Sequence, residues 1–374
     1  MKCIRCGHDS KFKERINRTC PNCRGTFAFE PKASDPVTDV LFQKAIVSVS
    51  GDGKIRWGVE HLYYEICRRK KGRKAPLVVI FIALALTAFL LGSVVFAGQS
   101  FVPAGVFGLI AFVGTCAAIR SRFRDPYVRI DVPTFNRLWD RWQTVHGTPA
   151  TVIQRAPEVA LPKEIEADIG DYSFDRAVIC DRARTVDLLV ANNFHFENNC
   201  AILTMDGYPK APFAVIKKML KKNPKLQVFV LHDASVAGCR VAHRLVTDQE
   251  WFGGTGLRVI DLGLRPRHAG PFQGLLVRGE GVRLSEGDGI MANEVEWLEK
   301  NYLALAAARP EQVLKRLFAG LQAHANDDPR KPDTSSRGSD GGMVTSCGSF
   351  DSGGGDGGGD GGDSGCDGGA DGFG

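Results

Sequence analysis

The chain has 374 residues, a net charge of +6 and eleven cysteines. That length affords more than one folded unit, and the scattered cysteines exclude a secreted disulfide scaffold. The charge is uneven: residues 340–374 hold seven Asp and neither Lys nor Arg, so the rest of the chain is strongly basic and suits anionic headgroups or nucleic acid.

Residues 1–30 carry Cys3-x2-Cys6 and Cys20-x2-Cys23. Two such knuckles on a short linker supply four thiolates, the set that closes a tetrahedral zinc site. The pattern is that of a zinc ribbon with Cys3, Cys6, Cys20 and Cys23 as structural ligands. Gly7 permits the tight turn behind the first pair. A stretch of this length cannot build an apolar core, so the metal would itself supply folding energy. The N-terminus begins with cysteines and basic residues, so no cleavable leader is expected.

Residues 36–74 read as a helix, a turn at Gly51-Asp52-Gly53, and a second helix. On the second, Val59, Leu62, Tyr63, Ile66 and Cys67 recur at helical spacing and form a buried stripe. That phase puts Tyr63 inside and leaves Tyr64 on a freer flank. Residues 75–120 follow. From Ala75 to Ile119 there are 45 residues without a charge. One bilayer crossing takes about 20 apolar residues, so the run predicts a transmembrane helical hairpin broken at Ala97-Gly98-Gln99-Ser100. A buried core hairpin would also be apolar, but core helices keep a polar face over such a length. Arg68, Arg69, Lys70, Lys71, Arg73 and Lys74 stand before the run, and Arg120, Arg122 and Arg124 after it. Both flanks are therefore expected on the cytoplasmic side of the cell membrane.

Residues 125–160 predict one more amphipathic helix, Pro133 to Gly147, with Phe135, Leu138, Trp139 and Trp142 on its inner face. Residues 165–325 then alternate. Strands are expected at Ala177–Cys180, Ala201–Met205, Gln227–Leu231 and Arg258–Leu262, and helices at Thr185–Asn192, Phe213–Lys222 and Val236–Thr247. Continuous apolar strands with crossover helices point to an α/β unit with a parallel sheet covered on both faces. Two helices close it, one with Asn293 and Glu296 as a capping box, one opened by Pro310. From 326 onward the chain turns polar and Gly/Asp/Ser-rich, and a disordered tail is expected.

Ligands of open α/β sheets gather beyond the carboxyl ends of the strands. Asp181, Asp206 and Asp233 follow three of the expected strands, and converging carboxylates would suit Mg²⁺. The other reading is capping, for which Asp181 and Ser235 are well placed. The helix with Lys217, Lys218, Lys221 and Lys222 reads either as a solvated face or as a contact for headgroup or nucleic-acid phosphates.

The segment from Ala177 to about Leu264 resembles a Toprim domain, the Mg²⁺-binding module of topoisomerases and primases, and in layout the A subunit of topoisomerase VI. That pattern places an acid after the first strand, a Gly after the second and Asp-x-Asp after the third. Here the positions read Asp181, Gly207 and Asp233-Ala234-Ser235. The first acid is Asp in place of Glu, and Ser235 replaces the second Asp. The resemblance reaches upstream to Arg-x-x-Tyr-Tyr, whose second Tyr attacks DNA; here it reads Glu60-His61-Leu62-Tyr63-Tyr64, which makes Tyr64 the candidate catalytic nucleophile. Glu60 stands where a cation would stabilise a phenolate. Two functions follow from the resemblance and its departures. One is a membrane-anchored, non-catalytic binding or regulatory module. The other is a Mg²⁺-dependent phosphodiester enzyme acting on nucleic acid at the membrane. Expected partners are the lipid bilayer and a nucleic acid or nucleotide.

Overall fold

The structure, a computed structural model, describes residues 1–33, 35–70, 126–154, 174–223, 225–279, 281, 287–324 and 344–346. The hairpin expected over 75–120 lies outside them. Among the described residues no helix is long and apolar enough to cross a membrane.

Three helices follow the ribbon: α1 (Asp39–Val49), α2 (Val59–Lys70) and α3 (Val132–His146). Thr38 caps α1 by accepting the Leu41 N–H at 3.2 Å, and Asp131 caps α3 through Thr134 in the same way. The described parts of segments 36–74 and 125–160 share one core. The Phe42 ring lies 4.7 Å from that of Trp142, and Tyr63 lies 5.3 Å from Phe135. Trp57 also pairs with Val152 in a short parallel bridge beside these helices.

The remaining elements are β1 (Arg176–Cys180), α4 (Ala183–Ala191), α5 (Phe194–Glu197), β2 (Cys200–Thr204), α6 (Lys210–Lys222), β3 (Gln227–Leu231), α7 (Val236–Thr247), β4 (Val259–Asp261), β5 (Val277–Arg278), α8 (Ala292–Lys300), β6 (Asn301–Tyr302), α9 (Pro310–Ala323) and β7 (Val344–Ser346). The main sheet is parallel in the order β2-β1-β3-β4, with β7 added beside β4. The four strands match the expected ones to within a residue or so at each end. Strand β7 interrupts the disorder expected of the tail; the remainder of the tail lies outside the described residues.

Strand residues alternate between two cores. Val178, Cys180, Phe229 and Leu231 face the core that contains α4, α9 and the three-helix segment. Ala177, Ile179, Val228 and Val230 face the core of α6 and α7. The split follows from crossover handedness. The step from β1 to β2 runs one way along the sheet and the steps to β3 and β4 run the other, so their helices fall on opposite faces. The chain therefore leaves β1 and β3 toward opposite sides, which opens a crevice between the carboxyl ends of these neighbours.

Helix α8 corrects the capping box. Its N-cap is Met291, whose N–H donates to Glu294 at 3.2 Å, while Glu296 pairs with Lys300. Asn293 sits inside the helix. A cap needs the residue with extended backbone, and here that is Met291.

Candidate functional site

The four ribbon cysteines bring their Sγ atoms within 4.8 Å of one another, close enough to hold one metal ion. Cys3 and Cys23, and Cys6 and Cys20, are 3.7 Å apart. A tetrahedron with Zn–S bonds of about 2.3 Å has edges of about 3.8 Å, so the donor set fits. The two knuckles repeat each other. Gly7 N–H donates to Cys3 O and Arg24 N–H to Cys20 O, each at 3.0 Å. Gly7 and Arg24 both take left-handed backbone, at φ +75° and +57°. The ribbon is fastened to the body by Asp39 at the start of α1. Its carboxylate accepts the N–H groups of Ala28 and Phe29 at 2.9 Å and meets His146 Nε2 at 2.8 Å.

The second candidate site is the crevice at the ends of β1 and β3. A cavity of about 550 Å³ lies there, walled by α2 on one side and by the start of α4 and the β6 region on the other. Its walls include Tyr64, His61, Arg182, Arg184, Asp233 and Tyr302. Of these, sequence reading singled out Tyr64 and Asp233 without placing them against each other, and it missed Arg184 and Tyr302.

The three acids do not gather into a metal cluster. Among the described residues only the four cysteines bring three or more potential ligands together. Asp206 is exposed on the turn after β2, the far neighbour of β1, and does not join the other two. Asp233 is buried and both of its oxygens are engaged: Oδ1 accepts the Leu305 N–H at 2.6 Å, and Oδ2 accepts the Tyr302 hydroxyl and pairs with Arg182. Asp181 does not cap α4, whose N-cap is Arg182. Its Oδ2 instead accepts the Asp233 N–H at 2.8 Å, across the crevice floor. Its Oδ1 is out of solvent contact and has no partner among the described residues. Burial, and then the neighbouring charge of Asp233, push Asp181 up to about 7. Ser235 does what capping requires, accepting the Gly238 N–H at 2.9 Å at the start of α7.

Tyr64 is not on a free flank. It is buried at 6 % exposure, packed edge-on against Tyr63 at 5.0 Å. Helix α2 packs against α1 and the turn at Leu305–Ala307, and Tyr64 faces the cavity from it. Burial, and then the charge of Asp233, raise the Tyr64 phenol well above its ordinary range, the opposite of what an attacking phenolate needs. Glu60 faces Arg184 at 3.6 Å.

Sequence reading missed a buried chain of charges behind the crevice. His232 Nε2 lies 2.9 Å from Asp261 Oδ1, and His232 Nδ1 lies 2.7 Å from the carbonyl of Asp233. Both ring nitrogens face acceptors, so both carry protons and the ring is an imidazolium. Burial alone would lower its pKa; Asp261 outweighs that and raises it. Arg265 Nε donates to Asp261 Oδ2 at 2.8 Å and its Nη1 to Glu294 at 2.8 Å. Despite burial, His232 and Arg265 hold Asp261 far below the usual carboxylate range. Gly263 makes room for the ring: a Cβ there would sit 2.3 Å from His232 Cδ2. The available signal was Asp261 itself, an acid inside an apolar strand, which must find a cation to be buried. Around the strand ends Asp233, Asp261 and Glu294 are thus matched by Arg182, His232 and Arg265.

Compared with known protein families, with curated proteins and with solved structures, the chain matches none.

Proposed function

We propose that this chain is a membrane-anchored binding module. Its α/β unit resembles a Toprim domain that has exchanged metal catalysis for internally neutralised carboxylates. The observation that carries the reading is the engagement of both Asp233 oxygens: a peptide N–H, a phenol and a guanidinium meet the atoms a metal would need. Burial of Tyr64 and its raised phenol argue the same way. The crevice, at about 550 Å³, is of the size that takes a small ligand or a partner's side chains. The uncharged run 75–119 serves as anchor, with both soluble ends in the cytoplasm. The ribbon holds a structural zinc ion.

One observation favours the alternative, a Mg²⁺-dependent phosphodiester enzyme at the membrane: the unpartnered Oδ1 of Asp181 at the switch point of the sheet. Mn²⁺ titration of the full-length protein, followed by electron paramagnetic resonance, separates the two. The binding-module reading expects no site in the crevice at millimolar Mn²⁺. A site lost in Asp181→Asn, together with a DNA adduct lost in Tyr64→Phe, would establish the enzyme and remove our reading.

A further inference from the structure

The last turn of α2 carries a cluster that the crevice does not use. Glu65 is buried, at 1 % exposure. Its carboxylate receives four guanidinium bonds: one from Arg68, one from Arg69 Nε at 3.0 Å, and two from Arg309 Nε and Nη2 at 3.1 Å each. A carboxylate offers about four lone-pair sites, so Glu65 is saturated. Burial alone would raise its pKa, yet the three guanidiniums hold it below the ordinary range.

Three cations on one anion leave two positive charges over. Arg68 spends its Nη2 on the Ala307 carbonyl. Arg69 Nη1 and Nη2 and Arg309 Nη1 have no partner among the described residues. All three side chains remain partly exposed, at 28 %, 21 % and 22 %. Burial, and then the charges of Arg309 and Arg69, press Arg68 below the ordinary guanidinium range, despite Glu65. Partly desolvated guanidiniums with idle, fork-shaped donors are built for phosphate oxygens.

The position selects the source of the phosphate. Arg69 stands six residues before Ala75, where the uncharged run begins, with Lys70, Lys71, Arg73 and Lys74 between. A helix that ends there delivers the cluster to the headgroup layer.

We infer that Arg68, Arg69 and Arg309, pinned by Glu65, form a binding site for the phosphate group of an anionic membrane lipid. The inference rests on the proposed anchor for the lipid as source, and on the geometry alone for the phosphate.

The test uses the full-length protein in mild detergent, with dioleoylphosphatidylglycerol, dioleoylphosphatidylcholine and inorganic phosphate as probes and native mass spectrometry as the readout. The anionic lipid should bind about tenfold tighter than the zwitterionic one, the worth of one good charge-assisted contact. Arg69→Gln and Arg309→Gln should each erase that preference, while Arg137→Gln on α3 should keep it. Equal preference in wild type and both cluster variants overturns the site. Arg69-dependent binding of inorganic phosphate at least as tight as that of the lipid overturns the lipid source and leaves a soluble phosphate ligand. Carbonate extraction reads the anchor separately: a wild-type chain released from membranes sinks the anchor, whatever the phosphate result.

Discussion

The N-terminal ribbon and the ends of the β-strands each gather a dense set of polar side chains, and the two sets are held in opposite ways. In the ribbon all four donors are thiolates once a metal is bound, and the ion itself offsets half of their charge. At the strand ends Asp233, Asp261 and Glu294 meet Arg182, His232 and Arg265, and the offset is internal. The ribbon was legible from spacing because its ligands come as two CxxC pairs and the partner is an ion. The strand ends were legible only in part, because several of their partners come from far along the chain, as Asp261 does for His232 and Arg182 for Asp233.

Metal removal should break the comparison most sharply. A strong zinc chelator is expected to abolish amide-exchange protection across residues 1–30 and leave residues 174–323 protected. Structural zinc contributes on the order of 10 kcal/mol to such ribbons, and Cys20→Ser should reproduce the loss. Loss of protection in β1 and β3 on chelation would show that the strand ends also need a metal. The converse perturbation is Asp261→Ala, which removes the only carboxylate on the buried His232 among the described residues and one of the two on Arg265. Urea unfolding of the full chain should fall by about 3–5 kcal/mol, with the ribbon cysteines still metal-loaded. A loss below about 1 kcal/mol would show that neither His232 nor Arg265 depends on Asp261 for its burial.

Much of the α/β unit was legible. Gln227–Leu231 and Val236–Thr247 fall where expected because an apolar run ends at His232 and a Ser cap opens the next helix. Helix α6 begins three residues earlier than expected, since Pro212 is tolerated within a first turn. The site was less legible. Asp181 and Asp233 announce themselves as strand-end acids, but two of the three partners of Asp233, Tyr302 and Leu305, are 69 and 72 residues away. The phase of α2 assigned Tyr63 correctly; it could not reveal that a second layer covers Tyr64. The resemblance supplied a layout of acids, and the cations that neutralise them lie outside its motifs.

The pH dependence separates two of the groups at the strand ends. Asp181 is raised to about 7, so in the folded chain it keeps a proton that the unfolded chain sheds near pH 4. Between those values stability should fall as pH rises, by at most about 1.4 kcal/mol per unit. His232 is also raised, so its contribution persists below the ordinary histidine range and is lost as pH climbs through the folded value. Asp181→Asn should flatten the first slope and leave the second. Denaturant midpoints measured from pH 4 to pH 9 read both; a slope between pH 4 and pH 7 that survives in Asp181→Asn would place the titrating group elsewhere.

The smallest effect belongs to the ribbon and tests whether its two knuckles are equivalent. Gly7 and Arg24 occupy matching positions, each one residue past a CxxC pair and each donating its N–H to the first cysteine's carbonyl. Both have left-handed backbone, but only one is glycine. A side chain in that conformation costs about 1 kcal/mol, because its Cβ crowds the following carbonyl. Arg24→Gly should therefore stabilise the loaded ribbon, in part offset by the greater freedom of glycine when unfolded. A metal-competition titration should show affinity raised by a few-fold, consistent with a net gain of about 0.5–1 kcal/mol. Gly7→Arg should lower it by a similar factor. If both substitutions weaken binding, the Arg24 side chain makes a contribution that its backbone strain conceals, and the knuckles are alike in geometry alone.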